Sequence, residues 1–193
     1  VDQVHLHLFT DGRDSPKYAS LQLIDDLEKK LKNNEKVATV IGRFYAMDRK
    51  KKWERTELTF KALASGQGRR ADSVKSAITS AYNRGNTDEF IEPCVIYNKE
   101  SILQSRIDDA ESIIFFNLRS DRARQLAKAF VQSDFEGMNP DAFKRHKKLD
   151  HLYFVAMTDF GPDLDDIITA FPGEDIKEGL PHVLADLRKL YIA

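Results

Sequence analysis

The chain has 193 residues, of which 41% are hydrophobic and 32% are charged, and its net charge is −1. This balance is typical of a soluble globular protein, and a nearly neutral chain has no overall field that favours nucleic acid or an anionic membrane surface. No apolar run approaches about 20 residues, so no membrane span is predicted. The single cysteine, Cys94, excludes an internal disulfide and favours a reducing, cytoplasmic compartment.

Apolar periodicity predicts alternating strands and helices along the chain. In chain order, the predicted elements are a strand over Val4–Phe9, a helix over Leu23–Leu31, a strand over Val37–Ile41, helices over Trp53–Ala64 and Val74–Tyr82, strands over Cys94–Tyr97 and Ile113–Phe116, a helix over Arg122–Phe130 and a last strand over Leu152–Met157. Asp72 or Ser73 is expected to cap the third helix. The alternation predicts an α/β fold with a mainly parallel sheet and helices on both of its faces, which makes three layers.

The C-terminal residues differ from the rest of the chain. Residues 1–178 are expected to form one domain, whereas 179–193 contain Leu180-Pro181-His182 and an apolar pattern typical of a helix or a linker that leads elsewhere. The sequence also begins without methionine and enters a strand almost at once. We therefore expect the chain to be part of a longer protein.

Loops that carry arginine and aspartate follow three of the predicted strands. They are Thr10–Asp14, Gly42–Arg49 and Asn117–Arg122. Because the carboxyl ends of parallel strands share one edge of a sheet, where ligands bind in the crevice, these loops are expected to meet. The arginines that would converge there are Arg13, Arg43, Arg49, Arg119 and Arg122. Such like charges need an anion, and guanidinium groups match phosphate and carboxylate oxygens in bidentate fashion. The sequence thus predicts a site for a small anionic metabolite, with a phosphate ester favoured.

Each of these features also has a plain structural interpretation. Asp11-Gly12 is typical of an ordinary turn, and Asp121 is expected to be the N-cap of the helix that follows it. Phe44 is expected to pack beneath its loop, and Arg124 to be solvent-exposed or salt-bridged. Lys50–Lys52 is a basic run that is compatible with nucleic-acid binding, but the nearly neutral overall charge favours a solvated helix start.

His5 and His7 point to the same face of a strand, a spacing found in strand-borne metal sites. The remaining histidines, His146, His151 and His182, lie in unrelated contexts. Because histidine ligands come as a geometric set, no metal site is predicted in this chain. The sequence also contains no Walker loop, Gly-rich dinucleotide fingerprint or Ser-His-Asp order.

Taken together, the three loops resemble the cofactor-independent (2,3-bisphosphoglycerate-independent) phosphoglycerate mutase family. The resemblance is carried by His7–Asp14, Gly42–Arg55 and Phe115–Leu126, and it continues through Phe154–Phe160 to Gly179–Ala193. It therefore covers nearly the whole chain, and its second motif is long and specific.

The resemblance implies two α/β domains in the full enzyme. One is similar to alkaline phosphatase and carries a nucleophilic serine and two divalent metal ions, usually Mn²⁺, with Mg²⁺ or Co²⁺ as alternatives. The other, inserted in it, is the phosphotransferase domain that holds the substrate, and this chain matches only that domain. Residues 1–178 are then an N-terminally truncated substrate-binding domain, and 179–193 are the linker to the phosphatase-like domain. This chain itself is expected to bind no metal ion.

The family interconverts 3-phosphoglycerate and 2-phosphoglycerate in glycolysis through a phosphoserine intermediate. By motif position, the resemblance implies substrate contacts for Arg13, Asp14, Arg43, Arg49, Arg119 and Arg122. Asp14 is the natural group to exchange protons with the substrate hydroxyls. Because the family's serine, metal ligands, substrate histidine and substrate lysine are absent, this chain alone is expected to be inactive. The alternative function is a non-catalytic anion-binding module for an acidic partner protein or a regulatory phosphate.

Overall fold

The computed structural model describes residues 3–97, 106–164, 166–173, 179 and 184–185. Its strands are β1 (Val4–Thr10), β2 (Glu35–Gly42), β3 (Arg69–Ala71), β4 (Cys94–Ile96), β5 (Ser112–Phe115), β6 (Tyr153–Ala156) and β7 (Ile167–Thr169). Its helices are α1 (Ser20–Glu28), α2 (Arg43–Ala46), α3 (Trp53–Ser65), α4 (Val74–Asn83), α5 (Ser120–Val131) and α6 (Phe135–Met138). A single 3₁₀ turn, Asp88–Phe90, precedes β4. Most of 179–193, where the linker is predicted, lies outside the described residues.

The strands form two sheets where the sequence predicts one. The first has the order β1-β2-β4-β3, with β1 parallel to β2, β4 antiparallel to β2, and β3 parallel to β4. The second has the order β5-β6-β7 and is parallel throughout. The α/β class is confirmed, while the single sheet and the placement of the last strand at 152–157 are corrected. The missed strands β3 and β7 have three residues each, too few for a periodic pattern to stand out.

Helices cover both faces of the first sheet, as predicted. Val40 and Ile41 are neighbours on β2, and side chains alternate between the two faces of a strand. Val40 packs in the core that α1 and α4 build, whereas Ile41 packs in the core that α3 and α5 build. Both residues are fully buried. This part of the chain therefore has three layers.

The second sheet packs on α5 and shares a core with the first. The Phe130 ring of α5 lies 6.5 Å from that of Phe154 on β6 and 5.0 Å from that of Phe60 on α3. The other face of the sheet carries Ile114 and Ile168, which both pair with the same residue of β6 and therefore lie on the same face. These two side chains remain exposed. The second sheet is thus bare on one face within the described part of the chain.

The helix ends follow signals in the sequence. At the start of α4, the Ser76 N–H donates to Ser73 Oγ and the Ser73 N–H donates to Ser76 Oγ, both at 3.1 Å. This capping box selects Ser73 from the two predicted caps. Helix α3 ends at Gly66, which adopts the left-handed conformation with φ 63°. Helix α1 ends at Glu28, so its predicted extension to Leu31 is wrong. None of the described helices is both long and apolar enough to span a membrane.

The shared core gives a prediction about stability. Phe60 is fully buried, and its ring contacts those of Phe130 and Phe143. We expect Phe60→Ala to lower the free energy of unfolding by about 3–5 kcal/mol, because it leaves a cavity that the aromatic cluster cannot fill. Leu58→Ala, on the same helix but at a position that is 48% exposed, should lower it by about 1 kcal/mol or less. Urea unfolding of both variants measures the difference, and equal losses would contradict the assignment of the core.

Candidate anion-binding site

The first loop is held by its own aspartate and by the 3₁₀ turn. The Asp11 carboxylate accepts the backbone N–H groups of Arg13 and Asp14, each at 3.0 Å. Gly12 has φ 71°, and a Cβ atom there would lie 2.8 Å from the Asp88 Cβ. Only glycine combines this left-handed backbone with so close an approach. The turn predicted at Asp11-Gly12 therefore places Asp14 at a defined position at the end of β1.

Asp88, which the sequence analysis did not single out, binds the start of α1 next to the first loop. It is almost fully buried, and its Oδ2 accepts the backbone N–H groups of Ala19 at 2.9 Å and Ser20 at 3.0 Å. Its Oδ1 accepts the Tyr82 hydroxyl. Since a helix start leaves its first N–H groups without partners, Asp88 caps α1 from a distant part of the chain. Burial and the bond to the Asp88 carboxylate raise the pKa of Tyr82.

The second loop begins with a buried arginine. The Arg43 side chain is 4% exposed, and its Nη1 donates to Asp11 Oδ1 at 2.6 Å and to Asp14 Oδ2 at 2.7 Å. Burial by itself would lower the pKa of Arg43, but the two carboxylates outweigh burial and raise it. The same contact also lowers the pKa of Asp11. Burial alone would raise this pKa, but the hydrogen bond from Arg43 holds it below its usual value. Arg43 thus joins the first two loops.

The rest of the second loop is held by Asp48. Its carboxylate accepts the backbone N–H groups of Lys50 at 2.9 Å and Lys52 at 3.0 Å, and Nη1 of Arg55 at 3.1 Å. The Arg55 guanidinium lies 3.7 Å from the centre of the Phe44 ring. Phe44 is therefore packed, as predicted. The run 50–52 is exposed and leads into α3, in agreement with the predicted solvated helix start.

The third loop adds a second set of charges. Asp121 accepts Nε of Arg119 at 2.9 Å and also binds Nη1 of Arg49. Partial burial would raise the pKa of Asp121, but these two bonds lower it. The prediction that Asp121 caps α5 is wrong, because Arg119 occupies the N-cap position and the carboxylate of Asp121 is turned to the arginines. Arg124 forms a salt bridge with Asp163, which is one of the two alternatives predicted for it.

Arg122 makes no salt bridge with a carboxylate of the described residues. Its Nη1 donates to the Met47 carbonyl at 3.1 Å, and its Nε is buried with no hydrogen-bond partner in the described part of the chain. Burial lowers the pKa of Arg122, the positive charges of Arg49, Arg43 and Arg119 lower it further, and the negative charge of Asp121 offsets part of this decrease. A guanidinium that makes no salt bridge and feels the positive charge of three others is an arrangement that an anion would stabilise.

The structure brings together most of the predicted site residues. Those that share this cluster are Asp14, Arg43, Arg49, Arg119 and Arg122. Arg119 Nη1 lies 3.8 Å from Asp14 Oδ2, which links the third loop to the first even though the two loops follow strands of different sheets. Arg13 is the exception, since it is largely exposed and pairs with Glu89 at 3.5 Å. The substrate contacts that the resemblance implies for these residues stay predictions.

The described residues do not fit a metal centre. His7 Nδ1 is hydrogen-bonded to Thr39 Oγ1 at 3.0 Å, so the ring is used inside the first sheet. No group of three His, Cys, Asp or Glu side chains is placed to hold a metal ion anywhere in the ranges that the structure describes.

Comparison with known proteins decides the family. The family described as the BPG-independent PGAM N-terminus matches residues 1–162. The chain belongs to this family. The resemblance drawn from the three loops is thereby confirmed.

Relatives of this family extend well beyond the matched region. The 2,3-bisphosphoglycerate-independent phosphoglycerate mutase of Clostridium kluyveri is 44% identical over 191 residues, which are 98% of this chain and 36% of that protein. The mutase 1 of Methanosarcina acetivorans is 44% identical over 188 residues, or 96% of this chain and 35% of that protein. The chain thus spans about a third of the length of these curated relatives.

A solved structure supports the fold. The chain is similar to the phosphoglycerate mutase of Leishmania mexicana, whose crystal structures were determined at low cobalt concentration, with a TM-score of 0.80. The match covers 96% of this chain and 35% of that one at 23% sequence identity. At this identity the similarity establishes the α/β fold alone.

The partly buried His7 gives a prediction about pH. Burial, and secondly the charge of His5, lower the pKa of His7 to about 4. In the unfolded chain this histidine takes up a proton as the pH falls below about 6.5, whereas in the folded chain it does so only near pH 4. Between these two pH values the unfolded state binds more protons, so lowering the pH favours unfolding. We expect the free energy of unfolding to fall by roughly 1–3 kcal/mol between these limits, and His7→Gln to remove most of that fall.

Urea unfolding at several pH values measures this effect. His151→Gln is the matched control, because His151 is exposed and its substitution should leave the pH dependence as it is. A His7→Gln protein with the wild-type pH dependence would show that another group is responsible.

Proposed function

We propose that this chain is the substrate-binding part of a 2,3-bisphosphoglycerate-independent phosphoglycerate mutase, which interconverts 3-phosphoglycerate and 2-phosphoglycerate. The observation that carries the proposal is Arg122, a partly buried guanidinium that makes no salt bridge within the described ranges and whose pKa is lowered by burial and by the positive charges of three further arginines. The reaction is inferred from the relatives, which are phosphoglycerate mutases. The arginine cluster is the proposed binding site for the anionic substrate of that reaction. In this proposal, residues 1–178 form the binding domain and 179–193 lead to the rest of the enzyme.

The cluster has one more guanidinium group than carboxylate groups, and this excess of positive charge favours an anionic ligand. The four guanidinium groups of the cluster stand against the carboxylates of Asp11, Asp14 and Asp121. A phosphoglycerate carries a phosphate and a carboxylate on a short carbon chain, and each of these groups accepts bidentate hydrogen bonds from arginine. Arg122 would take one anionic group, and the half-exposed Arg49 and Arg119 would take part in holding the other.

Asp14 is the candidate for proton transfer. Its side chain is 62% exposed, and its Oδ2 is held by Arg43 at 2.7 Å with Arg119 at 3.8 Å. The carboxylate is thus held by Arg43 through one oxygen while most of the side chain remains exposed. A carboxylate in this position could accept the proton of a substrate hydroxyl when that hydroxyl takes up a phosphoryl group, and return it in the reverse step.

The remaining machinery would come from other parts of the full enzyme. Phosphoryl transfer through a phosphoserine needs a nucleophile, and metal ions would supply electrostatic stabilisation of the transferring group. We assign the serine and the two divalent ions, Mn²⁺ or its substitutes Mg²⁺ and Co²⁺, to the phosphatase-like domain. This chain alone is then expected to bind 3-phosphoglycerate weakly and to form no 2-phosphoglycerate.

The alternative, a module that binds an acidic partner protein, predicts arginines spread over a face. Here Arg43 is buried, and Arg49 and Arg119 converge on one carboxylate. This convergence supports a ligand of metabolite size over an extended acidic surface.

Substitution of Arg122 tests the proposed site. In the full-length enzyme we expect Arg122→Ala to lower kcat/KM by roughly 10²-fold or more, because it removes the guanidinium group proposed to bind the anionic substrate. Arg122→Lys should recover only part of this loss, since an ammonium group cannot reproduce a bidentate contact. Arg124→Ala is the matched control two residues along α5, where the side chain binds Asp163 instead of the cluster.

An assay that couples 2-phosphoglycerate formation to enolase measures all three variants. Similar rates for Arg122→Ala and Arg124→Ala, in proteins with the wild-type melting temperature, would remove Arg122 from the site.

Substitution of Asp14 tests the proton-transfer role. Asp14→Asn keeps the shape of the side chain and can still accept a hydrogen bond from Arg43, so we expect the fold and much of the affinity for 3-phosphoglycerate to survive. The turnover should fall by roughly 10²–10⁴-fold, because the amide cannot take up a proton. Calorimetric titration and the coupled assay measure the two quantities separately. A normal kcat would leave Asp14 as a group that only positions the substrate.

A further inference from the structure

Asp121 differs from the other acidic residues of the cluster. One of its oxygens accepts Nε of Arg119 at 2.9 Å and the other binds Nη1 of Arg49, so both carboxylate oxygens are used by arginine. It accepts no backbone N–H of α5 in the described part of the chain, because the N-cap position belongs to Arg119. The carboxylate therefore makes no capping hydrogen bond at the start of the helix.

The two arginines that Asp121 holds are exchangeable. Their side chains are 45% and 49% exposed, in contrast to the buried Arg43. Ion pairs at such exposure contribute little to stability, since water screens them and long side chains lose freedom when they are fixed. An incoming anion can thus take over Arg49 and Arg119 without disrupting a buried contact.

The pairing within the cluster makes Asp121 the main group with which an anion must compete, because Asp14 lies farther from Arg119, at 3.8 Å against 2.9 Å for Asp121. Arg43 is fixed to Asp11 and Asp14, and Arg122 has no carboxylate partner among the described residues. An anion that binds Arg122 would form its next contacts with Arg49 and Arg119, and both of these are already paired with Asp121. It will also lie beside the negative charge of that carboxylate, which repels it.

We propose that Asp121 is an internal anion that occupies Arg49 and Arg119 when the site is free, and that it limits the affinity of the site for anionic ligands. Its carboxylate leaves the two arginines when a ligand binds and returns when the ligand departs. The inference rests on the proposed function, because it assumes that the cluster binds an anion, but it assigns a role to a residue that the motif comparison does not place in substrate contact.

The test is the affinity of the full-length protein for inorganic phosphate, measured by calorimetric titration. We expect Asp121→Asn to tighten phosphate binding by roughly 3–10-fold, because competition and like-charge repulsion are both removed. Asp121→Glu keeps the charge and should bind phosphate as the wild type does. Asp163→Asn is the matched control, since Asp163 also binds two cations of α5, Arg124 and Lys128, outside the cluster.

Further readouts locate the effect and separate it from a structural one. Phosphate binding that persists in Arg122→Ala comes from elsewhere in the protein and is subtracted. In the coupled assay, Asp121→Asn should lower the KM for 3-phosphoglycerate without raising kcat, whereas a merely destabilised protein would show a lower melting temperature and an unchanged KM.

Unchanged or weaker phosphate binding in Asp121→Asn, including the absence of detectable binding in both proteins, overturns the proposal. A weaker affinity would mean that Asp121 orients the arginines for the ligand instead of competing with it. A wild-type enzyme that binds phosphate but does not convert 3-phosphoglycerate would overturn the proposed function alone, because the titration needs no turnover.

Discussion

The buried positive charge of Arg43 is the constraint on which the rest of the site depends. A cation with only 4% of its side chain exposed is strongly destabilising unless carboxylates reach it, so the first loop must bring Asp11 and Asp14 to the end of β2. Arg43 is also the first residue of α2. One side chain therefore sets both the separation of the first two loops and the point at which the second loop leaves its strand.

Alternating charges extend this constraint to the third loop. Asp14 lies between Arg43 and Arg119, and Asp121 lies between Arg119 and Arg49. The loops belong to two sheets whose described contact near the site is made by side chains, with the Phe9 and Phe115 rings 5.9 Å apart. The electrostatic chain thus links loops that backbone pairing does not join, and it explains how several arginines can lie together before any ligand binds.

Much of the fold and of the site could be predicted from the sequence, because the signals concerned are local. The strand at 37–41 is apolar except for one threonine, Ser73 caps α4 from the adjacent position, and the loop arginines follow their strands directly. Asp88 could not be predicted, since it binds N–H groups 68 and 69 residues away. The same holds for Arg13, whose contact with Glu89 exists only once the 3₁₀ turn is in place. Long-range contacts of this kind leave no periodic signal in a single sequence.

The close packing of Gly42 has a consequence for how mutational data on this protein are to be interpreted. A Cβ atom at this position would lie 2.4 Å from the Glu89 carbonyl oxygen and 2.6 Å from the Ile91 nitrogen, both of them backbone atoms that cannot move aside as a side chain does. Any larger residue must therefore displace the 3₁₀ turn, and with it the segment on which the first loop rests. In a saturation screen for activity, Gly42 would score like a catalytic position although it carries no functional group, and only a parallel measurement of folding would tell the two apart.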